Sequence, residues 1–295
     1  MSLIVNGQRI DIAVLDSEFA QIKSYFEHLG NVSCCERDPE FRGYARDNVV
    51  ARALLSQEAQ RRLQAVPDDQ VESAVQKLIA DYGGEVQFYA ASGARPDTMH
   101  LVRHDVELEL RVRRMIEQLC ADISPSEQDL RRYYDEHISS FMTDEQVRAS
   151  HILKAPKRGE ARAEAFEELR KVRAQLLTGE DFETHAKAHS DKADEHIDLG
   201  FFKRGELAEE FEIVAFSLNV GEISPVFLSP FGFHLITVTD RKPSVPKPFE
   251  EVRAEVEQRY RDEIRDKRTK ALVEELKKTA TVEEAEDVPA EAATV

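Results

Sequence analysis

Hydrophobic residues in the first half of the chain recur every three to four positions, a spacing that is typical of amphipathic helices. Val71, Val75 and Ile79, for example, fall on one face of a helix that a following Gly-Gly pair ends. The same pattern predicts helices over residues 16–29, 41–63, 67–82, 86–91, 96–119 and 124–137. An Asn-Gly pair between two short β-type runs precedes them and predicts a hairpin. Residues 1–145 are therefore predicted to form a mainly helical domain.

The pattern changes at Val147, where polar and apolar residues begin to alternate with the period of a β-strand. The elements predicted from here are strands over 147–153, 199–202, 224–228 and 233–238, and helices over 159–177, 182–189 and 206–218. This β-α-α-β-α-β-β order predicts a second domain over residues 146–241, with a small, mostly antiparallel sheet flanked by helices. The fold class of the whole chain is therefore α+β.

A proline-rich linker over 242–248 leads into one further amphipathic helix. The helical segment 248–280 carries an apolar stripe, so we expect it to pack back on the N-terminal domain. The last segment, 281–295, is acidic, rich in alanine and without aromatic residues, which is typical of a disordered tail.

Composition narrows the possible functions. The 295 residues include 40 Lys and Arg against 57 Asp and Glu, a net charge of −17. Such a chain is repelled by nucleic acids and by anionic membrane surfaces, and no apolar run is long enough to insert into a membrane. The sequence given shows no leader, and its odd number of cysteines (Cys34, Cys35 and Cys120) favours free thiols. We therefore expect a cytoplasmic location.

Four sequence blocks, in order, carry a family resemblance. They are Ala149-Ser150-His151-Ile152-Leu153, His189-Ser190-Asp191 with Asp198-Leu199-Gly200-Phe201-Phe202, Arg204-Gly205-Glu206-Leu207-Ala208-Glu209-Glu210-Phe211, and Gly221-Glu222-Ile223-Ser224-Pro225-Val226 with Phe231-Gly232-Phe233-His234-Leu235-Ile236. Residues 147–240 thus resemble the parvulin family of peptidyl-prolyl cis/trans isomerases. The flanking segments resemble the chaperone-like helical domain of multidomain bacterial parvulins. The layout and the residues around Ser224 also resemble the nitrogenase-maturation parvulin group.

The resemblance implies a folding enzyme that accelerates rotation about Xaa-Pro bonds in unfolded or nascent client chains. The barrier to that rotation is roughly 18–20 kcal/mol, and uncatalysed exchange takes tens of seconds or longer. No covalent bond has to break, so an apolar cup with a few polar groups suffices. The resemblance implies no cofactor and no metal. The sequence leaves the oligomeric state unknown.

The resemblance also implies site residues. His151 and His234 match two histidines on neighbouring central strands, which would hydrogen-bond to each other and shape the polarity of the site floor. Asp191 matches the acidic position of the site, although Lys192 fits that position equally well. The residues that would cup the proline, with Phe202 behind them, and the hydroxyl that would donate toward the histidines are Leu199, Phe202, Leu207, Phe211 and Ser229.

Plainer interpretations of the same residues stay open. The two histidines also fit a buried pair that only holds the sheet together, and the apolar residues fit an ordinary core. The loop over 190–198 is shorter than in the family and lacks its Gly-Gly pair, so a weak or inactive isomerase acting as a holdase or client-specific maturation factor is the alternative function. Lys154, Lys157 and Arg158 either favour an acidic or phosphorylated residue before proline or form a solvated loop.

Overall fold

The computed structural model describes residues 2–28, 37–156, 162–192 and 197–285, which divide into two compact units. The helical unit contains the chain up to Pro125 and from Glu257 onward. The sheet unit contains Ser126–Val256. This boundary is earlier than the predicted one at 145/146. The earlier boundary is explained by contacts of the segment after Pro125, whose Tyr134 donates a hydrogen bond to the Lys247 carbonyl within the sheet unit.

Five helices form most of the helical unit among its described residues. They are α1 (Ile12–His28), α2 (Asp38–Arg62), α3 (Asp68–Asp81), α4 (Glu85–Ser92) and α5 (Met99–Leu119). The apolar stripe of α3 is buried as predicted, because Val71, Val75 and Ile79 pack in one cluster with Phe88 and Met99. The predicted helix over 96–119 is divided into a 3₁₀ turn and α5. Cys120 follows α5 as a free thiol, whereas Cys34 and Cys35 lie outside the described residues.

A small antiparallel sheet completes the helical unit. Its strands are β1 (Ser2–Val5), β2 (Gln8–Ile10) and β7 (Val282–Ala285), in the order β2-β1-β7. The predicted hairpin joins β1 to β2, with Asn6 and Gly7 both at positive φ. The prediction of disorder over 281–295 is wrong for residues 282–285, which form β7. Val282 packs into the apolar cluster around β1, and the β7 backbone pairs with the edge of β1 that β2 does not occupy. Residues 286–295 lie outside the described residues.

The sheet unit holds a second antiparallel sheet. Its described elements are α6 (Glu127–Glu136), β3 (Gln146–Lys154), α7 (Arg162–Leu176), α8 (Phe182–His189), β4 (Asp198–Phe202), α9 (Glu209–Ser217), β5 (Phe227–Ser229) and β6 (Gly232–Lys242). The strand order is β4-β3-β6-β5. The last helix, α10 (Phe249–Lys277), begins in this unit and continues into the helical unit, where Arg268 donates a hydrogen bond to the Leu119 carbonyl. Among the described residues, no helix is both long and apolar enough to cross a lipid bilayer.

Alternation along the two central strands decides which side chains meet. In β3 and β6, Ile152 and Leu235 face α7 and α8, where they pack with Leu169. The residues next to them in sequence, His151 and His234, therefore point to the opposite face, which α9 covers. The sheet thus presents both histidines on one side, as the predicted elements require.

Two predicted elements begin later than expected. The predicted strand over 224–228 starts only at Phe227, because Ser224 is buried and both donates to and accepts from the backbone of Ile236. The predicted helix over 206–218 starts at Glu209, since the preceding loop is bound by the Glu212 side chain.

Candidate functional site

A mostly apolar cavity of about 310 Å³ opens on the α9 side of the sheet. Strands β3, β4, β5 and β6, the start of α9 and four connecting loops or turns contribute its lining. The lining residues are His151, Leu153, Ala155, Lys192, Leu199, Leu207, Ala208, Phe211, Ser229, Phe231 and His234. Six of the eight predicted site residues are therefore brought together, and Asp191 and Phe202 are not among the lining residues.

The floor of the cavity is an aromatic cluster around the two histidines. The rings of His151 and His234 lie nearly parallel, with centroids 5.7 Å apart. The ring of Phe211 is nearly perpendicular to both, with its centroid 6.0 Å from that of His151 and 5.4 Å from that of His234. Phe227 stacks on the other side of His234 at 5.4 Å. This packing fixes both imidazoles and surrounds His234 with apolar atoms.

Burial governs the charge of His234. Desolvation, helped by the neighbouring His151, lowers the pKa of His234 to about 4. The ring is therefore neutral at pH 7. The Nε2 atom of His234 shares a 2.7 Å hydrogen bond with the Ser229 hydroxyl, which also accepts from the Phe231 N–H. The hydrogen bond that the structure shows for this nitrogen thus joins it to Ser229, as predicted for that residue.

The wall of the cavity consists of Leu199 from β4, Leu207 from the loop before α9, and Phe211 from the first turn of α9. Phe211 is only 4% exposed, whereas Leu207 is 37% exposed. Phe202, which is predicted as a site residue behind these three, lies there, buried against Phe211 with ring centroids 6.0 Å apart. Phe202 also packs against Phe216, so it supports the α9 side of the site from behind and is not among the lining residues.

Glu212 holds the loop that carries Leu207, and sequence reasoning missed it. Its buried carboxylate accepts hydrogen bonds from the backbone N–H groups of Gly205, Glu206 and Leu207, at 2.8–2.9 Å. Burial raises the pKa of Glu212, but these backbone hydrogen bonds and the charge of Arg204 outweigh it and leave the pKa below its ordinary value. The available signal was a single acidic residue within the apolar run of α9.

The adjacent residues Asp191 and Lys192 point in different directions. The Asp191 carboxylate accepts a 2.8 Å hydrogen bond from the Ala155 N–H and lies 3.3 Å from the Lys154 ammonium. Asp191 therefore ties its loop to the end of β3 and is not among the lining residues, and its catalytic role stays a prediction. Lys192 lines the cavity instead. Residues 193–196 of the shortened loop lie outside the described residues.

Sequence reasoning did not single out Leu153, Ala155, Ala208 and Phe231 as lining residues. Phe231 is 67% exposed on the tight β5–β6 turn at the rim. This turn comes so close to β3 that a Cβ atom on Gly232 would stand 2.2 Å from the Lys154 carbonyl oxygen. The glycine at position 232 is the sequence signal for this tight turn, because its φ of +142° is one that glycine adopts readily.

An apolar cup above a neutral imidazole suits a reaction that needs orientation and desolvation without covalent chemistry. A prolyl isomerase needs a site of this kind, one that holds the ring of a proline and takes the preceding amide out of water. Comparisons with known proteins agree with this interpretation. Residues 125–254 match the family model of the PPIC-type PPIase domain.

Relatives extend the match beyond that domain. The foldase protein PrsA of Caldanaerobacter subterraneus subsp. tengcongensis is 30% identical over 292 residues, which cover 95% of this chain and 85% of the relative. Foldase protein PrsA 2 of Bacillus cereus is 29% identical, covering 76% of this chain and 72% of the relative. A crystal structure of PrsA from Bacillus anthracis aligns with a TM-score of 0.30 at 26% identity, over 78% of this chain and 94% of that one.

The chain therefore belongs to the PPIC-type parvulin family, among the PrsA-like foldases. It is a peptidyl-prolyl cis/trans isomerase with a chaperone-like role toward unfolded polypeptides. The predicted family and function are thus confirmed. The resemblance to the nitrogenase-maturation group stays a prediction.

Proposed function

We propose that the cavity binds the proline ring of unfolded client chains and that its lining residues lower the barrier to rotation of the preceding amide. Leu199, Leu207 and Phe211 contact the ring, and the amide lies toward His151 and His234. The observation that carries the proposal is the meeting of this apolar wall with a neutral His234 in one cavity.

The physical basis is the loss of conjugation in the twisted amide. The planar amide has more charge separation than the twisted one, so removing water from it weakens the resonance that resists rotation. A floor without a charge on His234 at pH 7 preserves that effect. Lowering the barrier by about 4 kcal/mol accelerates exchange by roughly a thousandfold.

Client chains need a second place of contact for a chaperone-like role, and we propose a cleft in the helical unit. This cleft of about 220 Å³ has an apolar base and a charged rim. Its lining residues are Leu3, Ile12, Leu15, Asp16, Phe19, Arg42, Ala45, Arg46 and Glu284. Leu15→Asp is expected to weaken suppression of aggregation of an unfolded client while leaving isomerisation of short peptides unchanged.

The proline site is tested by exchange NMR on short Xaa-Pro peptides. Wild type is expected to accelerate cis/trans exchange, and Phe211→Ala to abolish the acceleration. Ile213→Ala is the matched control, since Ile213 lies on the same helix with 59% of its surface exposed. Because Phe211 is buried, Leu207→Ala serves as a second variant that removes a cavity contact from a half-exposed loop. Normal exchange rates in both cavity variants would refute the proposed site.

For the location of the protein we propose the cytoplasm, as sequence analysis expects. The support is the odd number of cysteines and the free thiol of Cys120. Fractionation of the native host, with an antibody against this chain, tests it. Recovery in an exported fraction would refute it.

A further inference from the structure

One residue that lines the cavity has a fully charged ammonium group. Lys192 is that residue, and every other lining side chain apart from the two imidazoles is aliphatic, aromatic or a hydroxyl. The mechanism proposed above makes no use of an ammonium group. Its presence beside the proline site therefore needs a separate explanation.

The local backbone holds Lys192 at the cavity. The Ser190 hydroxyl oxygen accepts hydrogen bonds from the backbone N–H groups of Leu153 and Lys192, at 3.2 and 3.4 Å. Asp191, which lies between Ser190 and Lys192 in sequence, accepts a hydrogen bond from the Ala155 N–H and forms an ion pair with Lys154. With Asp191 engaged on that side, Lys192 is left to line the cavity.

The neighbouring cation is already neutralised. The Lys154 ammonium lies 3.0 Å from Glu168 and 3.3 Å from Asp191, and only 17% of its side chain is exposed. It is therefore not available to an anion on a client. Lys192, by contrast, is exposed, and among the described residues its ammonium forms no ion pair.

We propose that Lys192 is a specificity-determining residue that favours clients with a carboxylate side chain next to the proline. This inference rests on the proposed function of the cavity. The net charge of −17 repels acidic chains at long range, but salt screens that repulsion beyond about 8–10 Å. An ion pair at the edge of an apolar cavity acts at shorter range, where the dielectric is lower than in water.

A single ammonium also fits a carboxylate better than a phosphate. A phosphate dianion is usually bound by several donors, such as an arginine fork or a set of backbone N–H groups. Here the carboxylates of Asp191 and Glu168 stand around the second lysine and would repel a dianion. The client side chain is therefore Glu or Asp.

The test compares peptides that differ only beside the proline, with Glu, Gln or Lys placed before it or after it. In wild type, kcat/KM for a Glu peptide is expected to exceed that of its Gln counterpart by about two- to fivefold in one of the two positions, the range of a partly exposed ion pair. The ratio is expected to fall to about one in Lys192→Gln and below one in Lys192→Glu. Lys171→Gln is the matched control, since Lys171 is exposed on α7, which covers the other face of the sheet.

The outcomes separate the two proposals. A wild-type Glu/Gln ratio of one in both positions, or a ratio that survives in Lys192→Gln, would overturn the role of Lys192 while the Gln peptide still exchanges rapidly. Raising the salt concentration is expected to reduce the wild-type preference and leave the Gln peptide unaffected. If wild type fails to accelerate even the Gln peptide, the proposed site itself fails, and the inference falls with it.

Discussion

Replacing Glu212 by Gln tests whether its buried carboxylate holds the wall of the active site. The substitution keeps the size of the side chain and removes its charge. Three backbone N–H groups, of Gly205, Glu206 and Leu207, then lose a charged acceptor. A hydrogen bond to a charged group contributes about 1 kcal/mol more than a neutral one. Because the loop backbone is accessible to water, we expect a loss of about 2 kcal/mol in the free energy of unfolding.

The same substitution is expected to affect catalysis through Leu207. Once its loop is no longer fixed, Leu207 spends less time at the cavity wall. A loss of about 1.4 kcal/mol of contact with the proline lowers kcat/KM roughly tenfold. Urea denaturation gives the stability change, and exchange NMR on one Xaa-Pro peptide gives the activity. Glu210→Gln is the matched control, because Glu210 is exposed on the same helix and is expected to change stability by less than about 0.5 kcal/mol.

The pH dependence provides an independent check. A carboxylate with a lowered pKa in the folded state stabilises the protein above its unfolded pKa, and this contribution is lost as the pH falls through the folded value. The stability difference between wild type and Glu212→Gln is therefore expected to shrink below about pH 4.5. Equal urea midpoints at pH 7, together with unchanged kcat/KM, would refute the role given to Glu212.

Two further predictions follow from the site. Because the pKa of His234 falls from 6.5 to about 4 on folding, stability present above pH 6.5 is lost on acidification. The loss between pH 7.5 and pH 5 is about 2 kcal/mol by urea denaturation, and a His234→Gln variant with the same pH dependence as wild type would contradict it. Gly232→Ala is expected to cost about 2 kcal/mol or more, because its Cβ would collide with the Lys154 carbonyl at a positive φ. Gly43→Ala, on an open helix surface, is expected to be neutral or stabilising by up to about 1 kcal/mol in the same assay, and similar effects of both substitutions would count against the argument.

The central strands and their histidines are predictable from the sequence, because alternation is a local property of the chain. The alternating pattern over Val147–Leu153 predicts β3. Within such a strand, the position of His151 determines the face of the sheet on which it lies, which is also the face of His234 on β6. The family motif adds Leu207 and Phe211. For these residues the local pattern and the tertiary contact agree.

Other features of the site and the fold depend on contacts between residues that are far apart in the sequence, and a local pattern does not predict such contacts. Asp191 and Lys192 are neighbours in sequence. Asp191 accepts a hydrogen bond from the Ala155 N–H, and Lys192 lines the cavity, an outcome that depends on this contact with β3 and not on the local sequence. The sequence alone predicts Glu212 as a surface residue of α9, because the loop whose backbone N–H groups donate to it lies outside the helix. The strand character of 282–285 requires β1, which lies at the other end of the chain.

The pairing of β1 with β7 also sets an order for folding during synthesis. Ser2–Val5 leave the ribosome before the sheet unit, and their partners Val282–Ala285 follow only after the whole sheet unit has been translated. The sheet unit is one continuous stretch, Ser126–Val256, whereas the helical unit needs both flanks of it. Since domains fold as units during translation, the sheet unit is complete while the helical unit still lacks β7 and most of α10. In each molecule of this foldase the sheet unit, which contains the isomerase site, is thus formed before the helical unit, whose two segments flank it in sequence.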